Sequence, residues 1–177
     1  ETFRENDYIR VHPIITEGGG AVNTIPDRVS IESYVRGLTI EAMKDANVQI
    51  LMDETILVAN EFYVTGREDL RNRNRLDLAQ LIPENTNLPW IVMDHTPINI
   101  TIPAEAGVDV HVSGHTHKGQ MWPNEYITER TFELDYGHEL KDKMHALVSS
   151  GYGFWGPPIR TNSRSELWVI DVKFAND

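Results

Sequence analysis

The feature that most constrains this chain is a β-branched run that opens into a histidine-bearing loop, Val112-Ser113-Gly114-His115-Thr116-His117-Lys118-Gly119-Gln120. The preceding segment, Gly107-Val108-Asp109-Val110-His111-Val112, has a strand's composition, and Gly114 offers a residue at which the backbone can turn sharply. Two imidazoles one residue apart are thereby predicted just past a strand's carboxyl end. Ligands of open α/β sheets bind outside such ends, and neutral imidazole is the commonest metal ligand. Alone the pair is a weak signal, because many such histidines are surface or hydrogen-bonded residues.

A second segment repeats the arrangement. Leu88-Pro89-Trp90-Ile91-Val92-Met93 reads as a short buried strand and runs directly into Asp94-His95-Thr96-Pro97. Histidines delivered from two separate strand ends to one sheet edge suit a metal site, whose ligands must converge from distant parts of a chain. The plainer alternative is that Asp94 and His95 cap and orient a loop.

Four stretches, in order, resemble the C-terminal half of a calcineurin-like metallophosphoesterase, above all its bacterial, often membrane-anchored branch. They are Gly66-Arg67-Glu68-Asp69, Met93-Asp94-His95-Thr96-Pro97, the block Ser113-Gly114-His115-Thr116-His117-Lys118-Gly119-Gln120-Met121-Trp122-Pro123, and Ser149-Ser150-Gly151-Tyr152-Gly153-Phe154-Trp155-Gly156-Pro157-Pro158-Ile159-Arg160. The similarity covers 31–174, after a flexible or looped lead-in over 1–30. It implies an α/β fold, the four-layer αββα sandwich of two sheets flanked by helices, with this chain carrying its C-terminal half. It further implies hydrolysis of phosphate mono- or diesters by a metal-activated hydroxide. His95 and His115 would hold one divalent ion and His117 its neighbour, the ions being manganese, zinc or iron. Asp94 and His95 are the catalytic candidates. Two ions about 3.5–4 Å apart clamp a phosphoryl group and acidify a water.

The departures matter as much. The family's Asp-x-His, Gly-Asp-x-x-Asp and Gly-Asn-His-Asp/Glu segments, which carry most of the oxygen ligands, are absent. The chain therefore reads as a fragment, inactive by itself, in which three histidines hold at most one ion with an open water position. A different class of function stays open: a degenerate phosphoesterase-like module used for binding or assembly. Half a sandwich leaves an apolar face and open strand edges, so the expected partners are the missing N-terminal half or a second copy, besides the phosphate-ester substrate.

A formal net charge of −11 argues against a nucleic-acid-binding surface, and the absence of cysteine removes thiolate ligation. No run reaches transmembrane length. The resemblance implies the extracytoplasmic face of a bacterial membrane, a cytoplasmic location staying open.

Along the chain, Gly18-Gly19-Gly20 reads as a linker, and a helix is predicted over 30–46 from Tyr34, Val35, Leu38, Ala42, Met43 and Ala46. Strands over 48–52, 55–59 and 62–64 suggest an antiparallel meander. A helix over 73–81 would leave Arg71, Arg73 and Arg75 in water. Residues 129–143 read as loop and short strand, with His138 and His145 on the surface, while His111 should point away from its core-facing neighbours. Strands are expected over 145–150 and 166–174. Between them Gly151, Gly153 and Gly156 permit close backbone approach to a ligand, and Arg160 can reach a phosphate oxygen, a tight structural corner being the equal alternative.

Overall fold

Short β-branched and aromatic runs from Glu54 to Val148 assemble into one mixed sheet. The computed structural model describes residues 10–17, 30–37, 39–45 and 47–173, in two compact units that meet in sequence between Ile50 and Leu51. The first unit contains β1 (Arg10–Glu17), β2 (Ser30–Arg36) and α1 (Ile40–Asp45). The second contains β3 (Glu54–Val58), β4 (Phe62–Gly66), β5 (Trp90–Met93), α2 (Thr101–Glu105), β6 (Val110–Ser113), α3 (Glu125–Thr131), β7 (Gly137–Lys141) and β8 (Met144–Val148). Single 3-10 turns form at Leu78–Leu81 and His117–Gly119.

In the first unit β1 and β2 form an antiparallel ribbon, with Arg10 opposite Arg36 and a bulge between Ile15 and Glu17. The helix predicted over 30–46 is thus corrected: its first seven residues are strand, and only Ile40–Asp45 is helical. Helical spacing of apolar residues does not exclude a strand when a distant segment supplies a hydrogen-bonded neighbour, as β1 does here. The triple glycine lies outside the described residues.

The six-stranded sheet has the order β3-β4-β5-β6-β8-β7. β4, β5, β6 and β8 run parallel, and β3 and β7 close the two edges antiparallel. This is a mixed α/β architecture of the expected class, with a six-stranded sheet and its helices. The hairpin β3–β4 matches two strands of the predicted meander, whereas 48–52 is irregular.

One face of the sheet carries the core. Trp90, Val92, Met144 and Ala146 pack there with Val108, Ile100 before α2, and Leu78 and Leu81 of the 3-10 turn. The Val, Leu, Ile and Met side chains among them each contribute about 1.5–3 kcal/mol through burial. A buried polar relay crosses the same face: Trp90 Nε1 donates to Thr65 Oγ1 (2.7 Å), Thr65 lies 2.7 Å from Thr55 Oγ1, and Thr55 donates to the Leu81 carbonyl (2.8 Å). Because Thr55 spends its proton on Leu81, Thr65 must donate to Thr55, and every group in the relay is satisfied.

The register assigns Ile56, Val64, Ile91, Met93, Val110, Val112, Leu147 and Leu140 to the opposite face. None of these is buried; Met93 is 46% and Leu140 57% exposed. Parallel strands are normally covered on both sides, so this face is unusually open.

Three further expectations are corrected. The helix over 73–81 does not form, because Asp69 and Asn72 turn the chain locally: Arg71 N and Asn74 N donate to their side-chain oxygens, and Asn72 N and Arg75 N to their carbonyls. Residues 129–131, expected as loop or short strand, form the last turn of α3. Residues 166–173 pair with no strand, although Leu167, Val169 and Val172 have strand composition and Val169 is 80% exposed.

Candidate metal centre

Because β4, β5, β6 and β8 are parallel, their carboxyl ends open on one edge of the sheet. The four motif stretches begin there: Gly66-Arg67 after β4, Asp94-His95 after β5, Gly114-His115 after β6 and Ser149-Ser150 after β8. The ladder continues beyond the strands. Arg67 N donates to Met93 O (2.9 Å), Asp94 N to Val112 O (3.0 Å), Gly114 N to His95 O (3.1 Å) and Ser149 N to Ser113 O (3.0 Å). The loops are therefore held in register by the sheet that presents them.

His95 and His115 meet. His95 Nε2 lies 3.1 Å from His115 Nδ1, with the rings edge-on at 82°, and both side chains are exposed. The sharp turn expected at Gly114 falls on His115 instead, whose φ is +68°; Gly114 itself is not left-handed. His117, Lys118 and Gln120 also have positive φ, near +51° to +53°. Such backbone is costly for residues with a Cβ and persists where surrounding contacts over-determine it. Gly119 shows one source of that pressure: a Cβ there would stand 2.3 Å from Glu125 N.

Beneath His95, Asp94 is buried in a bidentate ion pair with Arg75. Asp94 Oδ1 also accepts from Thr96 N at 3.3 Å. Arg75 was expected in water with Arg71 and Arg73; it is half-buried and clamps the β5 loop, while the other two are exposed. A second buried pair, Arg67 with Asp53 at 3.1 Å, ties the β4 loop to the segment before β3, and Asp53 also accepts from Glu68 N and Leu76 N. His111 is corrected too: it is only 2% exposed, on the core face between Val92 and Ala146, with Nδ1 3.3 Å from Ser113 Oγ. Burial holds it below the usual histidine range; Asp94 pulls the other way, and Arg75 and Arg67 add to the depression.

His117 is set against the glycine-rich segment. Its Nδ1 lies 3.3 Å from an Arg160 nitrogen and it hydrogen-bonds the Ser150 backbone. That same Arg160 nitrogen donates to the carbonyls of Ser150 (2.9 Å), Gly151 (3.0 Å) and Gly153, and the other terminal nitrogen donates to Ser163 Oγ. Much of the guanidinium fork is thus spent on backbone, and Nε is buried without a hydrogen-bond partner. Gly153 enters through its carbonyl, held by Arg160. Gln120, missed in the sequence, is the clasp of this segment. Its amide donates to Trp155 O (2.8 Å) and Pro157 O (3.2 Å), its side-chain oxygen accepts from Trp155 N (2.7 Å), and its backbone carbonyl accepts from Thr161 N. Its only sequence signal was its place at the end of the histidine-bearing block.

Partial burial lowers the pKa of His115, with His95 and Arg71 adding to the effect. His117 is lowered by burial and by Arg160, against the opposing Ser150 hydrogen bond. Both imidazoles therefore favour the neutral form, whose lone pair a metal needs. The His95 and His115 nitrogens, 3.1 Å apart, have a spacing that suits adjacent ligands of one ion, since ligand nitrogens at about 2.0–2.1 Å from zinc stand roughly 3.3 Å apart in a tetrahedron. Among the described residues no three His, Cys, Asp or Glu side chains gather into a complete metal-binding group.

A mixed α/β sheet thus brings two histidines together at the carboxyl ends of its parallel strands. No family model and no solved structure matches the chain. An uncharacterized metallophosphoesterase of Campylobacter jejuni is 31% identical over 136 residues, covering 73% of this chain and 36% of that protein. Another from Aquifex aeolicus is 30% identical over 151 residues, 79% of this chain and 57% of that protein. A transmembrane protein with metallophosphoesterase domain from Danio rerio is 24% identical over 151 residues, 80% of this chain and 34% of that protein. The resemblance to metallophosphoesterases read from the chain's motifs is borne out by these relatives. The chain spans between 34% and 57% of the length of these relatives. Among the described residues no helix is long and apolar enough to cross a membrane.

Proposed function

We propose that the protein to which this chain belongs hydrolyses phosphate mono- or diesters with the help of divalent metal ions, and that this chain supplies the histidine part of the centre. The observation that carries the reading is the approach of His95 and His115 at the carboxyl ends of adjacent parallel strands. In this reading His95 and His115 hold one ion and His117 a second. Divalent ions of the manganese, zinc or iron kind, when bound, supply acidification of a water and neutralisation of charge on the phosphoryl oxygens. The chain's own residues supply placement. Asp94, locked by Arg75, fixes the loop that presents His95, and Gly114 N holds the His95 carbonyl. Arg160 gathers the 150–153 carbonyls around His117, so that a substrate phosphate would meet its remaining edge and the Gly153 turn.

The open sheet face and the unpaired 167–172 segment support a covering layer from the rest of the parent protein, with a second copy of this chain as the competing occupant. A membrane-tethered parent is part of the proposal, supported by the name of the Danio rerio relative; an extracytoplasmic face has no support there and is not part of it. Two measurements test the reading. Elemental analysis of the chain should find metal that is lost in a His95→Ala, His115→Ala double variant, and the parent protein should cleave p-nitrophenyl phosphate mono- or diesters. No metal in either form, together with an inert parent, would favour a module used for binding or assembly.

A further inference from the structure

A cavity of about 700 Å³ lies beside His117, outside the histidine cluster itself, lined by Lys118, Tyr136, Arg160, Arg164, Glu166 and the hydroxyl-bearing segment 161–165. Its charge is opposite to that of the chain: three cations face one carboxylate in a protein of formal net charge −11. The carboxylate is already occupied. Glu166 Oε1 accepts from Ser150 N (2.7 Å) and Ser149 Oγ (3.1 Å), and Oε2 from Tyr136 OH (3.1 Å).

Arg160 is largely spent on backbone carbonyls, but the other two cations are not occupied in that way. Among the described residues neither Lys118 nor Arg164 is in an ion pair. Lys118 Nζ stands over the Tyr136 ring, 4.4 Å from its centre, which holds the ammonium in place without neutralising it. The Arg164 backbone is anchored because its carbonyl accepts from Ser150 Oγ (2.9 Å). Ser163 Oγ donates to the His117 carbonyl (3.0 Å), so the cavity and the proposed ligand loop share a wall.

We propose that this cavity is an oxyanion subsite that receives a second anionic group, a phosphate above all, carried by the substrate. Resting on the phosphoesterase reading, it narrows the substrate class to phosphate esters whose alcohol bears a further anionic group near the scissile ester. Lys118 and Arg164 are the specificity-determining residues, giving charge-assisted hydrogen bonds, with the hydroxyls of Thr161 and Ser165 completing the shell.

The test uses inorganic phosphate as probe and the metal-chelated chain, so that the histidine centre does not contribute. Calorimetric titration should show phosphate binding that weakens about tenfold or more in a Lys118→Gln, Arg164→Gln double variant. Lys118→Arg, which keeps the charge, should retain it, and circular dichroism should confirm that each variant is folded. The His95→Ala, His115→Ala variant should bind phosphate as the unaltered chain does. That pattern supports the subsite whether or not the parent hydrolyses phosphate esters, a question read separately by the hydrolysis assay. Unchanged binding in the Gln double variant, or no binding at millimolar phosphate by the unaltered chain, overturns it.

Discussion

Two pairs of histidines meet in this molecule at almost the same distance and in different settings. His95 and His115 approach to 3.1 Å with ring planes crossing at 82°, whereas His138 and His145 approach to 3.0 Å with planes 12° apart, stacked. Nitrogen lone pairs lie in the ring planes, so crossing planes can aim at a common point while stacked planes aim side by side. The settings differ as well. The first pair stands on loops tied to the sheet, above the buried Asp94–Arg75 pair and on strained backbone. The second stands on the exposed edge hairpin β7–β8, where the register sets His138 opposite Leu147 and His145 opposite Leu140. Closeness of two imidazoles is therefore not a site; a scaffold that holds their orientation is what separates the two.

The largest effect should come from removing that scaffold. Asp94→Ala leaves Arg75 half-buried without its partner and should cost about 3–5 kcal/mol in urea unfolding, while Glu139→Ala beside the edge pair should change little. Equal losses would erase the structural distinction. Metal uptake sharpens the comparison next. Zinc titration should lose about two orders of magnitude in affinity in His95→Ala, His115→Ala and less than about threefold in His138→Ala, His145→Ala. A reversed ranking would make the hairpin the metal site.

A smaller loss is expected at the clasp. Gln120→Leu strands the Trp155 amide and two carbonyls, for about 1–3 kcal/mol, and should raise proteolytic cleavage in 151–160 without altering the edge hairpin. The smallest effect is a pH dependence. Because burial holds His111 below the ordinary histidine value of about 6.5, the unfolded chain takes up its proton first. Stability from this group is complete above that value and falls as pH drops below it. Urea midpoints at pH 7.5 and pH 5 should diverge less in His111→Asn than in the unaltered chain.

The strands that carry the candidate site were legible because each is a short β-branched run followed at once by a polar loop, a pattern that local sterics and burial impose. β5 and β6 end close to where their composition changes, and His95 and His115 follow directly. The elements misread were those decided by distant neighbours. β2 is a strand because β1 lies beside it, and 73–77 is not helical because Asn72 and Asp53 capture the amides of Asn74, Arg75 and Leu76.

Sequence by itself determined that histidines would emerge from strand ends of an acidic chain, since residue type and spacing carry that information locally. Only the tertiary structure decided that Arg75 locks Asp94, that His111 is buried, that Gln120 clasps the glycine-rich segment, and that one sheet face stays open. Each of these depends on groups 19 or more residues apart being brought together, and the free energy that selects such contacts comes from burial and hydrogen-bond satisfaction that no local window contains.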